Sequence, residues 1–246
     1  MKRVTLLHSF VVAILCSVVF GQGAVKVESF YSDNSSYASP TDAQQIIQAS
    51  HSRKITIDMN VLKSNLPQAQ HRDRQDSGVE VYLTIPDPDG GQTRFKVVRN
   101  TTMSPGLQAQ FPNIRTFDVI GEDNVNIHGK IDYTHLGFHA VIYHPEKGSY
   151  FIDPVFHGET ELHMVYWRSD FLTSKVMSCD FNDGVSQEPQ QNGGTRQFGD
   201  CQLRTYRLAV CATGEYSAFH GGTQGQALSA QVTTMNRVNG IYERDM

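Results

Sequence analysis

The chain has 246 residues, of which 39% are hydrophobic, and 21 Lys and Arg stand against 25 Asp and Glu for a net charge of -4. That apolar content is enough for one large domain or two smaller ones, each with its own core. The near balance of charge, with both signs mixed in the cluster "HRDRQD" at 71–76, excludes the basic footprint of a nucleic-acid binder.

The first element is a signal peptide, predicted over 1–21. "MKR" supplies a positive start, and "FVVAILCSVVF" from Phe10 to Phe20 an apolar run of about a dozen residues, too short to span a bilayer. Val19 and Gly21 are the small residues that a signal peptidase prefers, so cleavage is expected after Gly21, with Gly23 and Ala24 as the alternatives. The mature protein is then secreted or periplasmic, with no membrane span. Cys16 leaves with the signal, because "AILC" is a poor lipoprotein box. Cys179, Cys201 and Cys211 remain in a compartment where disulfides persist. Three is odd, so one thiol is free or pairs outside the chain.

Residues 25–37 read as loop, and "PTDAQQIIQAS" as a short helix. "KITIDMNVLKSNLPQAQ" begins with strand alternation at Ile55 and Ile57 and passes into a helical turn carrying Val61, Leu62 and Leu66. "VEVYLTIPDPDGGQTRFKVVR" predicts a hairpin, with Val79, Val81, Leu83 and Ile85 on one face and the turn at "PDPDGG". "IRTFDVIG", "VNIHGKIDYT", "GFHAVIYHP" and "GSYFIDPVF" follow as short strands. Residues 22–180 are therefore expected to form a β-rich domain. The stretch 181–200 is rich in Gln, Asn, Gly and Asp and nearly free of large apolar residues, which predicts an exposed linker.

Beyond it, "LRTYRLAV" reads as a strand. A helix then starts at the Thr223/Gln226 capping box and carries Leu228, Val232, Met235, Val238 and Tyr242 at helical spacing. A single strand cannot cover that stripe, so the segment 201–246 is expected to be a poorly ordered tail.

The histidines give little sign of a metal site. His135 and His139 on one strand would lie about 13 Å apart, too far for one ion unless the strand bends. His157 and His163, with Glu159 and Glu161, lack the spacing of known sites, and His220 precedes two turn glycines. No Ser-His-Asp or Cys-His arrangement has motif support.

"CQLRTYRLAVCATGEYSAFHGGT" followed by "VTTMNRVNGIYERD" resembles the opening of the catalytic domain in secreted bacterial reprolysin-like zinc metalloproteases of the metzincin group. Upstream, "FPNIRTF", "HLGFHAVIYHP" and "YFIDP" resemble the propeptide of that family, with His135 departing from it. The resemblance implies an α+β chain, with a β-rich propeptide domain followed by an incomplete α/β catalytic domain over 201–246. It implies zinc for the full-length enzyme and a protein or peptide substrate. The family's chemistry needs H-E-x-x-H, two His one helical turn apart on zinc with the Glu as general base. No His here is followed by Glu, so the 246 residues hold no catalytic or metal residue of that motif and are expected to be inactive alone. Cys179 is a candidate latency thiol, able to place a thiolate on the zinc of the enzyme. It is equally a disulfide partner for Cys201 or Cys211, and Cys201 with Cys211 is a further pairing. The alternative to a protease precursor is an exported non-enzymatic module that binds or inhibits a protease or a surface protein.

Overall fold

The computed structural model describes residues 23–36, 44–74, 76–173 and 207–245. The signal peptide, the 181–200 linker, Cys179 and Cys201 lie outside them.

The described residues build a mixed α/β molecule dominated by one curled ten-stranded sheet. Its strands are β1 (Val25–Val27), β2 (Tyr31–Asp33), β3 (Arg53–Ile57), β4 (Val81–Pro86), β5 (Gln92–Arg99), β6 (Arg115–Gly121), β7 (His128–Thr134), β8 (Gly137–His144), β9 (Gly148–Pro154) and β10 (Leu162–Trp167). From β4 to β10 the chain is an antiparallel meander; β3 then pairs with β10 and β2 with β3, while β1 joins β4 in parallel. The curl brings the two ends together. Tyr31 Oη donates to Gln92 Oε1 at 2.8 Å, and Arg53 Nη1 donates to the Gly91 carbonyl at 2.8 Å.

The period-2 pattern explains why the sheet forms and what it encloses. Val81, Leu83 and Ile85 of β4, Phe95 and Val97 of β5, Phe117 and Val119 of β6, Ile131 of β7 and Phe138 and Ile142 of β8 all point inward and are buried. The predicted hairpin forms, with Val81 opposite Val97 and Pro86 opposite Gln92. Helix α1 (Met59–Asn65) starts where Asp58 accepts from the amides of Asn60 and Val61, and it places Leu62, followed by Leu66, in the same core. Gly129 of β7 is required by close approach. A Cβ there would lie 2.1 Å from the Val141 carbonyl oxygen of β8.

Four expectations are corrected. Residues 25–37, expected as loop, hold β1 and β2, paired with β4 and β3, and Phe30 between them has no exposed surface. The helix expected in "PTDAQQIIQAS" is absent from residues 44–50, which run extended beside β9 and β10, with bridges from Gln45 to Phe156 and from Ala49 to Phe171. Their backbone is committed to tertiary bonds, from Ile46 N to Val155 O and from Ser50 N to Asp170 O, and Ile47 and Ala49 pack on Phe156, Met164 and Tyr166. The strand expected at "LRTYRLAV" is not present over its described part, Arg207 to Val210, where Leu208 and Val210 are exposed. The terminal helix is no loose tail. Helix α4 (Gln224–Asp245), preceded by the short α3 (Gly214–Phe219), packs on the outer face of β6 and β7. Its buried face also differs from the apolar stripe, since Ser229, Thr233, Asn236 and Gly240 are buried while Tyr242 is 60% exposed.

Candidate functional site

The outer face of β6 to β9 carries polar residues at alternate positions, Asp118, Lys130, Asp132, His139 and Asp153, where a solvent-facing sheet surface is normal. Here most of them are buried, because α4 covers them. Buried polar groups need partners, and α4 supplies them one by one. Thr233 Oγ1 donates to Asp132 Oδ1 at 2.7 Å. Asn236, with no exposed surface, donates to the Ile131 carbonyl at 3.1 Å and accepts from Asn100 Nδ2 at 3.0 Å. Lys130 Nζ donates to Asp118 at 2.7 Å and to Glu243 at 2.6 Å, and Arg72 reaches the same two carboxylates at 2.8 and 2.9 Å. Apolar contact is confined to one flank, where Val232 and Leu228 meet Met103, just before α2 (Pro105–Gln110), and Ile114, at the entry to β6.

At the other flank the seat opens into a cleft of about 370 Å³ between α4, β8, β9, β10 and the extended 44–50 segment. Ile46, Ile47, Phe151, Tyr166 and Phe171 form its walls. Arg237 enters from α4. Its Nη2 donates to Asp153 Oδ1 at 2.5 Å and to the Ala140 carbonyl at 3.4 Å, and its guanidinium lies 5.3 Å from the centre of the Phe151 ring. Burial pulls the Arg237 pKa down, but the carboxylates of Asp153 and Asp132 outweigh it and hold it above the ordinary arginine value. Tyr166 Oη donates to the other oxygen of Asp153 at 2.9 Å, and burial, joined by that carboxylate, pushes the phenol upward. His139 Nδ1 lies 3.2 Å from Asp132 Oδ1 without forming a hydrogen bond. A second lobe of about 290 Å³ continues past Leu136 to His157, Tyr216, Phe219 and His220.

The residues singled out in the sequence are scattered over this arrangement. His139 lines the cleft, whereas His135 sits in the β7–β8 turn with Nδ1 3.1 Å from Ser229 Oγ of α4. His157 Nε2 contacts the Phe219 carbonyl at 2.5 Å, which ties α3 to the sheet domain. His163 is fully buried, accepting from Phe138 N at 3.3 Å, and burial lowers its pKa to about 4. His220 lies in the turn after α3, and burial and His157 lower its pKa. Cys211 is exposed and has no cysteine partner among the described residues; its expected partners Cys201 and Cys179, with the latency role of Cys179, lie outside them. Among the described residues no three His, Cys, Asp or Glu side chains converge to hold a metal ion, so no chemistry is assigned to zinc on these residues. No described helix is long and apolar enough to cross a membrane.

Sequence reasoning missed Lys130, Asp132, Asp153, Thr233, Asn236 and Arg237. The available signal was a run of small and polar residues at Ser229, Thr233, Asn236 and Gly240, spaced at helical intervals. Compared with protein-family models, with curated proteins and with solved structures, the chain has no match in any of the three.

Proposed function

We propose that the chain is the N-terminal part of an exported zinc-dependent endopeptidase precursor, with the β-rich domain acting as a propeptide that assists folding and latency. The zinc-binding half is not among these 246 residues. The reading rests on the resemblance of the segment from Cys201 onward to the start of a reprolysin-like catalytic domain. One geometric observation carries it further. Helix α4, from the far side of the 181–200 stretch, is held on the sheet domain by paired polar groups, with Asn236, Lys130 and Arg237 each meeting a partner across the junction. A domain that must release the enzyme after a cut is better served by such a polar seat than by a continuous apolar core. Polar interfaces resemble those of separable partners.

The second reading, an exported non-enzymatic module that binds or inhibits a protease or surface protein, is favoured by a different observation. The buried face of α4 finds its cover within these residues and has no need of further strands.

The coding DNA after codon 246 separates the two. An in-frame H-E-x-x-H-x-x-G-x-x-H, and a longer product that binds one zinc per chain and hydrolyses peptide bonds after cleavage between 181 and 200, is the expected result. A stop without any remnant of that motif, with residues 22–246 stable alone, rejects the precursor reading in favour of the second.

A further inference from the structure

We infer that the cleft beside α4 is a binding site for a small carboxylate carrying an apolar group, with the acid on Arg237 and the apolar group against Ile46, Ile47, Phe151, Tyr166 and Phe171. Its volume, about 370 Å³, lies at the lower end of small-molecule pockets, and mostly apolar walls with a few convergent polar groups are their usual make-up.

The polar end is what selects the charge. Arg237 spends only Nη2 on Asp153 and Ala140, and its Nε–H is buried without an acceptor. His139 Nδ1, in the same cleft, makes no hydrogen bond but faces Asp132 Oδ1 at 3.2 Å, so that nitrogen is turned to the protein's own carboxylate. Buried donors are almost always matched, so the unmatched Arg237 Nε–H beside the cleft marks a place for an acceptor from outside. An anionic acceptor matches the charge of the Arg237 guanidinium. Asp153 takes Arg237 on one oxygen and Tyr166 on the other, and Asp132 takes Thr233. Arg168, exposed at the rim, adds a second cation. A carboxylate accepting from a guanidinium makes a short charge-assisted bond that a neutral amide cannot equal. The site stands whether or not the chain precedes a protease.

Two kinds of molecule carry this chemistry, a free alkyl or aryl acid and the C-terminal residue of a peptide. The mature chain, residues 22–246, would be titrated by NMR with 4-phenylbutyrate, with N-acetyl-L-phenylalanine and with the neutral N-acetyl-L-phenylalaninamide. Saturable binding of either acid, at least about tenfold tighter than the amide, is expected, and the tighter of the two acids identifies the source. Arg237→Lys keeps a cation opposite Asp153 but removes the Nε–H, and is expected to weaken the acids about tenfold. Because Arg237 also helps to hold α4, Phe171→Ala serves as the second variant. It leaves the polar seat intact and is expected to weaken both acids through the lost wall. Absence of saturable binding, equal binding of the amide, or wild-type affinity in both variants would overturn the proposal.

Discussion

The inner and outer faces of the sheet are built from alternate residues of the same strands, yet they hold their neighbours by different means. Inside, Phe95, Phe117, Phe138 and Ile142 bury apolar surface, which is non-directional and tolerates small shifts. Outside, Lys130, Asp132, Asp153 and Asn236 are held by directional bonds, each needing its own partner at the right distance. The inner face therefore sets whether the domain folds, and the outer face sets whether α4 stays on it. Damage to one should spread through the molecule, and damage to the other should remain local.

The comparison is tested most severely by Phe117→Ala. Phe117 has no exposed surface and its ring centre lies 5.8 Å from that of Tyr133. Truncation is expected to cost about 3–5 kcal/mol, read as a shift of a single cooperative denaturation curve. A loss confined to α4, with the sheet unchanged, would refute the division between the faces.

Acid supplies the next test, again on the inner face. His163 is about 6.5 in the unfolded chain, and burial lowers it to about 4 in the folded one. As pH falls, the unfolded chain takes the proton first. Stability is thus complete above about pH 6.5 and declines toward pH 4, by roughly 3 kcal/mol in total. Denaturation midpoints measured from pH 7.5 to 4.5 should fall for the wild type and flatten in His163→Gln. If the variant loses as much as the wild type over that range, another group is responsible.

On the outer face Lys130→Met should cost somewhat less, about 3 kcal/mol at the low end for a broken buried pair. Asp118 would keep Arg72 and Asn100, each at 2.8 Å, which limits the damage. The loss should appear as faster amide exchange along α4 while the strands remain protected. Glu243→Gln, at a side chain 46% exposed, should change stability by only about 0–1 kcal/mol.

The inner face was legible in the sequence because alternation and turn chemistry are local. Val81, Leu83 and Ile85 and the Asp-Gly-Gly turn can each be read from a few neighbouring residues. The outer face was not. A covered polar face and a solvated one have the same alternation, and nothing near Lys130 or Asp132 shows that a helix a hundred residues away will sit on them. For the same reason the apolar stripe from Leu228 to Tyr242 located only one flank of the buried face of α4, where Val232 and Leu228 pack, and missed its polar centre at Ser229, Thr233, Asn236 and Gly240. Residues 44–50 were misread because tertiary backbone bonds to Val155 and Asp170 outweigh a weak local helix preference. The cleft joins Ile46, His139 and Arg237 from three distant segments, and no spacing rule reaches that far.

An effect of similarly small size lies where α4 approaches the sheet most closely, at Gly240. In a helix interior Ala is favoured over Gly by about 1 kcal/mol, so Gly240→Ala should stabilise an uncrowded helix. Here the new Cβ would stand 2.6 Å from Tyr143 Oη and 2.9 Å from Lys130 Cγ. The Tyr143 hydroxyl is buried, and Arg244 sits 4.9 Å from the centre of its ring, so the ring has little room to retreat. Overpacking of this kind costs about 1–3 kcal/mol, which outweighs the helix gain and leaves a net loss of about 1 kcal/mol. Gly106 of α2 is the control, since nothing lies within 4 Å of its would-be Cβ. Gly106→Ala should be neutral or stabilising. If both substitutions stabilise, as judged by thermal unfolding, α4 does not press on Tyr143 and the seat is looser than its bonds imply.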